Sequence, residues 1–140
     1  QRSYLPIGTL RAAINYPASG DAYKDRAIQH YLEQCRLPHL MESLDEIDNW
    51  STRLSPGEQQ RLAFARLLLT QPRYAILDEA TSALDLVNER RLYEQLMDGQ
   101  TTLISVGHRS TLLTYHRQVL ELDGNGGWQA HVAKGYRFEH

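Results

Sequence analysis

Residues 74–85 read Tyr-Ala-Ile-Leu-Asp-Glu-Ala-Thr-Ser-Ala-Leu-Asp, an apolar run that ends abruptly in two adjacent acids, Asp78 and Glu79. Burying a carboxylate is costly unless it is paired or bound to a metal. A strand that simply emerges into a polar turn accounts for the pattern. So does a pair of acids that holds something. In open α/β sheets ligands bind beyond the carboxyl ends of the strands. Two acids at that edge could hold a hydrated Mg²⁺ through one carboxylate and activate water with the other.

A second candidate is Ser55-Pro56-Gly57-Glu58. It fits the S-x-x-E capping box, with proline at the first helical position. The outward amides of a helix start, with the helix dipole behind them, make a plausible phosphate cradle. An ordinary capped helix explains Ser55, Pro56 and Glu58 equally well. It does not explain Gly57, which costs about 1 kcal/mol in a helix relative to alanine. His108, after a strand and a glycine, could donate to a phosphate oxygen, but with 6 histidines in the chain a single one says little. Asp85 reads equally well as a helix N-cap, and Trp50 as packing.

These residues need elements to place them. The spacing predicts a short helix over 9–15, a helix over 21–36 with Ile28, Tyr31, Leu32 and Cys35 on one face, and a short helical stretch over 40–44. Residues 45–53 read as loop. A helix starts at Ser55, with Leu62, Ala65, Leu68 and Leu69 as its apolar face, and Pro72 ends it. Residues 74–77 and 101–106 read as buried parallel strands, with a helix over 88–97 between them and one or two helical turns over 110–115. Residues 118–122 and 128–132 flank Asp-Gly-Asn-Gly-Gly, a hairpin turn. A helical first half followed by alternating strand and helix predicts an α/β sheet with an attached helical layer.

The 140 residues suffice for one domain with its own core. A formal charge of −2 gives no strong basic field for nucleic acid. The single cysteine, Cys35, cannot form an internal disulfide, which suits a reducing compartment. No apolar run reaches the roughly 18 residues of a membrane span. The chain begins at Gln1 rather than methionine, so a longer parent is expected.

In their order, the candidate residues resemble the nucleotide-binding domain of ABC transporters. Leu54-Ser55-Pro56-Gly57-Glu58-Gln59-Gln60-Arg61 resembles the signature motif usually written LSGGQ. Residues 74–79 resemble the Walker B strand with its catalytic glutamate. Ser82-Ala83-Leu84-Asp85 resembles the D-loop, His108 within Ser105–Arg109 the switch histidine, and Gln1 the Q-loop glutamine. The resemblance runs from Gln1 to about Leu122. Pro56 and Glu58 depart from the commoner glycine and glutamine. LSPGE with a tryptophan shortly before it looks most like the half-transporters of the peroxisomal fatty-acid type and their bacterial relatives, some of which handle cobalamin or peptides.

The resemblance implies a partial P-loop NTPase (RecA-like) α/β core with an attached α-helical subdomain and a C-terminal β-hairpin. Residues 1–72 would form the Q-loop segment and helical subdomain, and residues 73–140 the C-terminal half of the core. ATP and Mg²⁺ are the implied ligands. Asp78 and Gln1 would hold the metal, Glu79 would polarise the attacking water, and His108 would contact the γ-phosphate. Leu54, Ser55, Pro56, Gly57 and Glu58 would bind ATP held by a second nucleotide-binding domain, and Asp85 would act across that head-to-tail interface. A transmembrane domain of the same transporter would be the other partner, at the cytoplasmic face of a membrane, with no nucleic acid involved. No G-x-x-x-x-G-K-[ST] loop occurs in the 140 residues. That loop grips the β- and γ-phosphates, so a parent ATPase is expected and no hydrolysis by this chain alone. A non-catalytic assembly module, or a soluble ATPase of the DNA-repair type, is the competing reading. Glu58 places a negative charge near the expected phosphate site unless it folds back onto the Ser55 amide.

Overall fold

The computed structural model describes residues 4–19 and 21–138. Two helical segments come first: α1 (Leu10–Asn15), capped by the Thr9 hydroxyl, and α2 (Asp25–Gln34). A 3₁₀ turn over Pro38–Ser43 follows. Pro38 stands at its start, where a missing N–H costs nothing. The long helix α4 (Pro56–Thr70) is preceded by a single turn, α3 (Trp50–Arg53). Left-handed Gln71 ends α4 one residue before Pro72, the usual way to turn a chain out of a helix.

Three two-stranded sheets are present among the described residues. The short strands β1 (Gly8–Thr9) and β2 (Ile47–Asp48) pair antiparallel. β3 (Tyr74–Asp78) and β4 (Thr102–Val106) pair parallel, in register from Tyr74 opposite Thr102 to Asp78 opposite Val106, and α5 (Leu86–Met97) makes the crossover. β5 (Gln118–Leu122) and β6 (Trp128–Val132) form the expected hairpin. The Asp123 carboxylate accepts from the Asn125 and Gly127 amides and closes its turn.

Two apolar cores meet on α4. Leu62 and Leu69 join Leu10, Ile28, Leu32 and Trp50 in the helical half, whereas Phe64 and Ala65 join Leu77, Leu92 and Leu96 beneath the parallel strands. The helix is therefore buried on two faces, which a single-stripe pattern does not anticipate. Cys35 lies in the second core with no disulfide, and burial pushes its thiol up to about 12.

Two expectations are corrected. Residues 45–53, read as loop, hold β2 and α3. Trp50 is fully buried and its indole N–H donates to the Gly8 carbonyl at 2.9 Å, a contact across 42 residues that local pattern cannot show. β3 and β4, read as buried, bury only one face. Ala75 and Leu77 pack on α4 and α5, while Tyr74, Ile76, Ile104 and Val106 on the other face are half exposed or more. No helix among the described residues is long and apolar enough to cross a membrane.

Candidate functional site

Because β3 and β4 run parallel and in register, both deliver their carboxyl ends to one edge of the sheet. The Glu79 amide donates to the Val106 carbonyl at 2.9 Å, one rung past the last strand pair. Glu79 then takes a left-handed backbone, φ 50°. For a residue with a Cβ this costs on the order of 1 kcal/mol and is a mark of functional sites. Beyond β4, Gly107 is followed by His108, whose Nε2 lies 3.4 Å from Glu79 Oε1. The imidazole is 95 % exposed and the carboxylate 37 %, so the pair is open to a ligand. Asp78, the last residue of β3, is half-buried beside them. A general base needs to reach its proton within about 3 Å, directly or through one water. Glu79 is free to do so from this edge.

At the start of α4 the Ser55 hydroxyl accepts from the Glu58 amide at 3.2 Å, and Glu58 Oε2 accepts from the Ser55 amide at 2.8 Å. The capping box is complete. The other carboxylate oxygen, Glu58 Oε1, lies 2.9 Å from His39 Nε2. Partial burial of Glu58 works against its charge, but the Ser55 and His39 contacts outweigh it and leave the pKa lowered. The charge is thus turned back into the chain. The box engages the Ser55 and Glu58 amides, and Pro56 has none. The Gly57 amide is the first-turn donor it does not use. Leu54 is buried just before the cap.

Glu79 and the Ser55 helix are joined through one side chain, quoted within the signature-like run but given no role from sequence. Gln60 Nε2 donates to the Glu79 carbonyl at 3.2 Å and to the Ser82 hydroxyl at 2.9 Å, and Gln60 Oε1 accepts from the Ala83 amide at 2.9 Å. Nearby, a Cβ on Gly57 would stand 3.4 Å from the Ala83 carbonyl and 3.7 Å from Leu84. Gly57 therefore faces the 79–85 turn at ordinary van der Waals distance. Asp85 caps α5: Oδ1 accepts from the Asn88 amide at 2.7 Å and Oδ2 from the Asn88 side chain at 3.0 Å. The Asn88 amide, with further local hydrogen bonds, holds the Asp85 carboxyl below its ordinary value. Glu89 and Arg109 were also missed. Glu89 falls on the buried stripe of α5 with Leu92, Tyr93 and Leu96, and an acid on an apolar stripe is the signal that was available. Gln1 lies outside the described residues.

Asp78 and Glu79 bring two carboxylates to the sheet edge, and no group of three His, Cys, Asp or Glu side chains converges among the described residues. A two-carboxylate edge suits Mg²⁺, which keeps several waters and takes one or two carboxylates plus substrate phosphates. It does not suit a tetrahedral zinc site.

The family model described as ABC transporter matches residues 4–82. An uncharacterized ABC transporter ATP-binding protein of Synechocystis is 52 % identical over 132 residues, covering 92 % of this chain and 20 % of the relative. The human lysosomal cobalamin transporter ABCD4 is 44 % identical over 140 residues, covering 92 % of this chain and 23 % of the relative. A bacterial Atm1-family ABC exporter solved with ATP bound superposes with a TM-score of 0.73 at 27 % identity, over 88 % of this chain and 22 % of the exporter. The chain belongs to the ABC transporter family, and its fold is a partial P-loop NTPase core with an attached helical subdomain and a C-terminal hairpin. It spans about a fifth of the length of the curated relatives it matches.

Proposed function

We propose that this chain is the signature-to-switch portion of the ATP-hydrolysing domain of an ABC transporter, within a parent that couples ATP hydrolysis to transport across a membrane. The observation that carries this reading is the Glu79–His108 pair at the shared edge of β3 and β4, tied through Gln60 to the capped helix. Glu79 polarises the attacking water and His108 steadies the γ-phosphate side of that water. Asp78 would hold Mg²⁺, with Gln1 as a second contact. The metal, when bound, neutralises charge on the β- and γ-phosphates. The Leu54–Glu58 segment, with Ser55 and the Gly57 amide foremost, closes on ATP held by a second nucleotide-binding domain, and Asp85 lies at that interface. Residues 1–72 form the signature-bearing part and residues 73–140 the part with the acids and His108. The parent's transmembrane domain is the other partner, and the site faces the cytoplasm.

Glu79→Gln in the full-length parent tests the chemistry. General-base contributions are typically about 100-fold or more, so steady-state ATP turnover should fall by at least that much while ATP still binds. Turnover that survives within a few-fold removes Glu79 from the role.

A further inference from the structure

Glu89 is an acid with no exposure at all, in the first turn of α5. Its Oε2 accepts from the Thr81 hydroxyl at 2.7 Å and from Arg109 Nη1 at 3.0 Å, and its Oε1 accepts from the Thr111 hydroxyl at 2.5 Å. The same guanidinium reaches further. Arg109 Nη1 donates to the Leu84 carbonyl at 2.9 Å and Nη2 to the Ser82 carbonyl at 3.1 Å. Thr81, Ser82 and Leu84 belong to the turn that follows Glu79. Arg109 follows His108 directly, and Thr111 lies two residues further on. One buried carboxylate thus fastens the two segments that flank the Glu79–His108 pair, and the Arg109 fork is the bolt between them.

Stability alone is a weak reason for this device. A buried ion pair can often be exchanged for apolar side chains of similar volume without loss, and Glu89 sits on a stripe where leucine would pack. What an apolar residue cannot do is hold a guanidinium that spans two backbone carbonyls. Resting on the functional reading above, we propose that Glu89 is a positioning residue for hydrolysis: through Arg109 it makes the 81–85 turn and the His108 segment move as one body. His108 is then placed against Glu79 only when the turn carrying Asp85 is also in place. Glu89 touches neither nucleotide nor water in this scheme.

The test uses the full-length transporter carrying Glu89→Gln, Arg109→Lys and the pair of changes together, with Glu79→Gln alongside. Glutamine keeps the volume and an acceptor but removes the countercharge. Lysine keeps the charge but not the fork. The expected result is a fall in kcat of ten-fold or more in each single variant, with KM for ATP within about two-fold. The double variant should be no worse than the poorer single, because residues acting through one contact are non-additive. Thr111→Val, which deletes one hydrogen bond, should lower kcat several-fold and gives the same reading should Glu89→Gln fail to fold. Unchanged kcat in Glu89→Gln and Arg109→Lys, while Glu79→Gln is inactive, overturns the positioning role and leaves the functional reading intact. A loss that follows the folded fraction and moves kcat and KM together overturns it too. Turnover retained in Glu79→Gln overturns the functional reading itself, and the positioning role with it.

Discussion

Glu58 poses a residue-scale problem, since a carboxylate beside an expected phosphate site should repel the ligand. The structure disposes of the charge within the chain. One oxygen takes the Ser55 amide and the other faces His39. The pH consequence has a definite sign. Local hydrogen bonds hold the Glu58 pKa below its ordinary value of 4.5. The contribution is therefore present above about 4.5 and is lost as pH falls through the folded value. Glutamine at the same position still closes the capping box and loses the charge near the helix start, about 0.5 kcal/mol. Urea unfolding of the two forms, followed from about pH 6 down to about pH 3, should show the Glu58→Gln midpoint slightly lower at the upper end and the difference vanishing at the lower. A gap that widens in acid contradicts the assignment. The choice of LSPGE over the commoner motif then reads as a locally satisfied cap rather than a defect.

At the scale of elements, α4 does three jobs. It supplies the capped helix start, it is buried in both cores, and through Gln60 it holds the Glu79–Ala83 backbone. Gly57 separates two of these jobs. A Cβ there meets only ordinary contacts, 3.4 Å to the Ala83 carbonyl and 3.7 Å to Leu84, and alanine is a better helix former by about 1 kcal/mol. Gly57→Ala should leave the chain as stable or raise its stability by up to about 1 kcal/mol, read by urea unfolding. In the full-length parent the same change should cut ATP turnover by ten-fold or more, because on the proposed reading the first turn of α4 closes on a phosphate at the Gly57 amide and added bulk there costs that close approach. A stable and fully active variant takes the phosphate role away from Gly57. The start of α4 was legible in the sequence because its signals are local: Ser55, Pro56 and Glu58 lie within one turn. So were β3, β4, α5 and the hairpin, whose apolar periods are short-range. The β1–β2 pair was not, since Gly8 and Asp48 meet across 40 positions of chain and each two-residue strand is too short to carry a period of its own. Nor was Gln60, a polar side chain whose partners belong to a turn about 20 residues away. Glu89 was in principle visible as the one acid on a buried stripe, but its partners Thr81, Arg109 and Thr111 come together only in three dimensions.

The whole molecule is lopsided in a way that bears on activity. The parallel pair presents an apolar face with Ile76 73 % and Ile104 50 % exposed, and the hairpin adds Leu122 and Trp128. An uncovered apolar face of this kind is more than the scattered exposed side chains of an ordinary surface. The distribution of polar groups agrees. Two carboxylates and an imidazole stand at the edge of β3 and β4, and a capped helix start stands at α4. No G-x-x-x-x-G-K-[ST] loop occurs anywhere in the 140 residues to wrap backbone amides and a lysine around a polyphosphate. Water activation without phosphate grip leaves the nucleotide unheld, and most of the rate in phosphoryl transfer comes from positioning and charge stabilisation. The 140-residue chain by itself should therefore release no phosphate from ATP above a Glu79→Gln control, whereas the full-length parent should do so in a manner abolished by that change. Phosphate release by the purified chain that disappears on mutating Glu79 would mean that the acids and His108 hold the nucleotide without help, and the division between grip and water activation would be wrong.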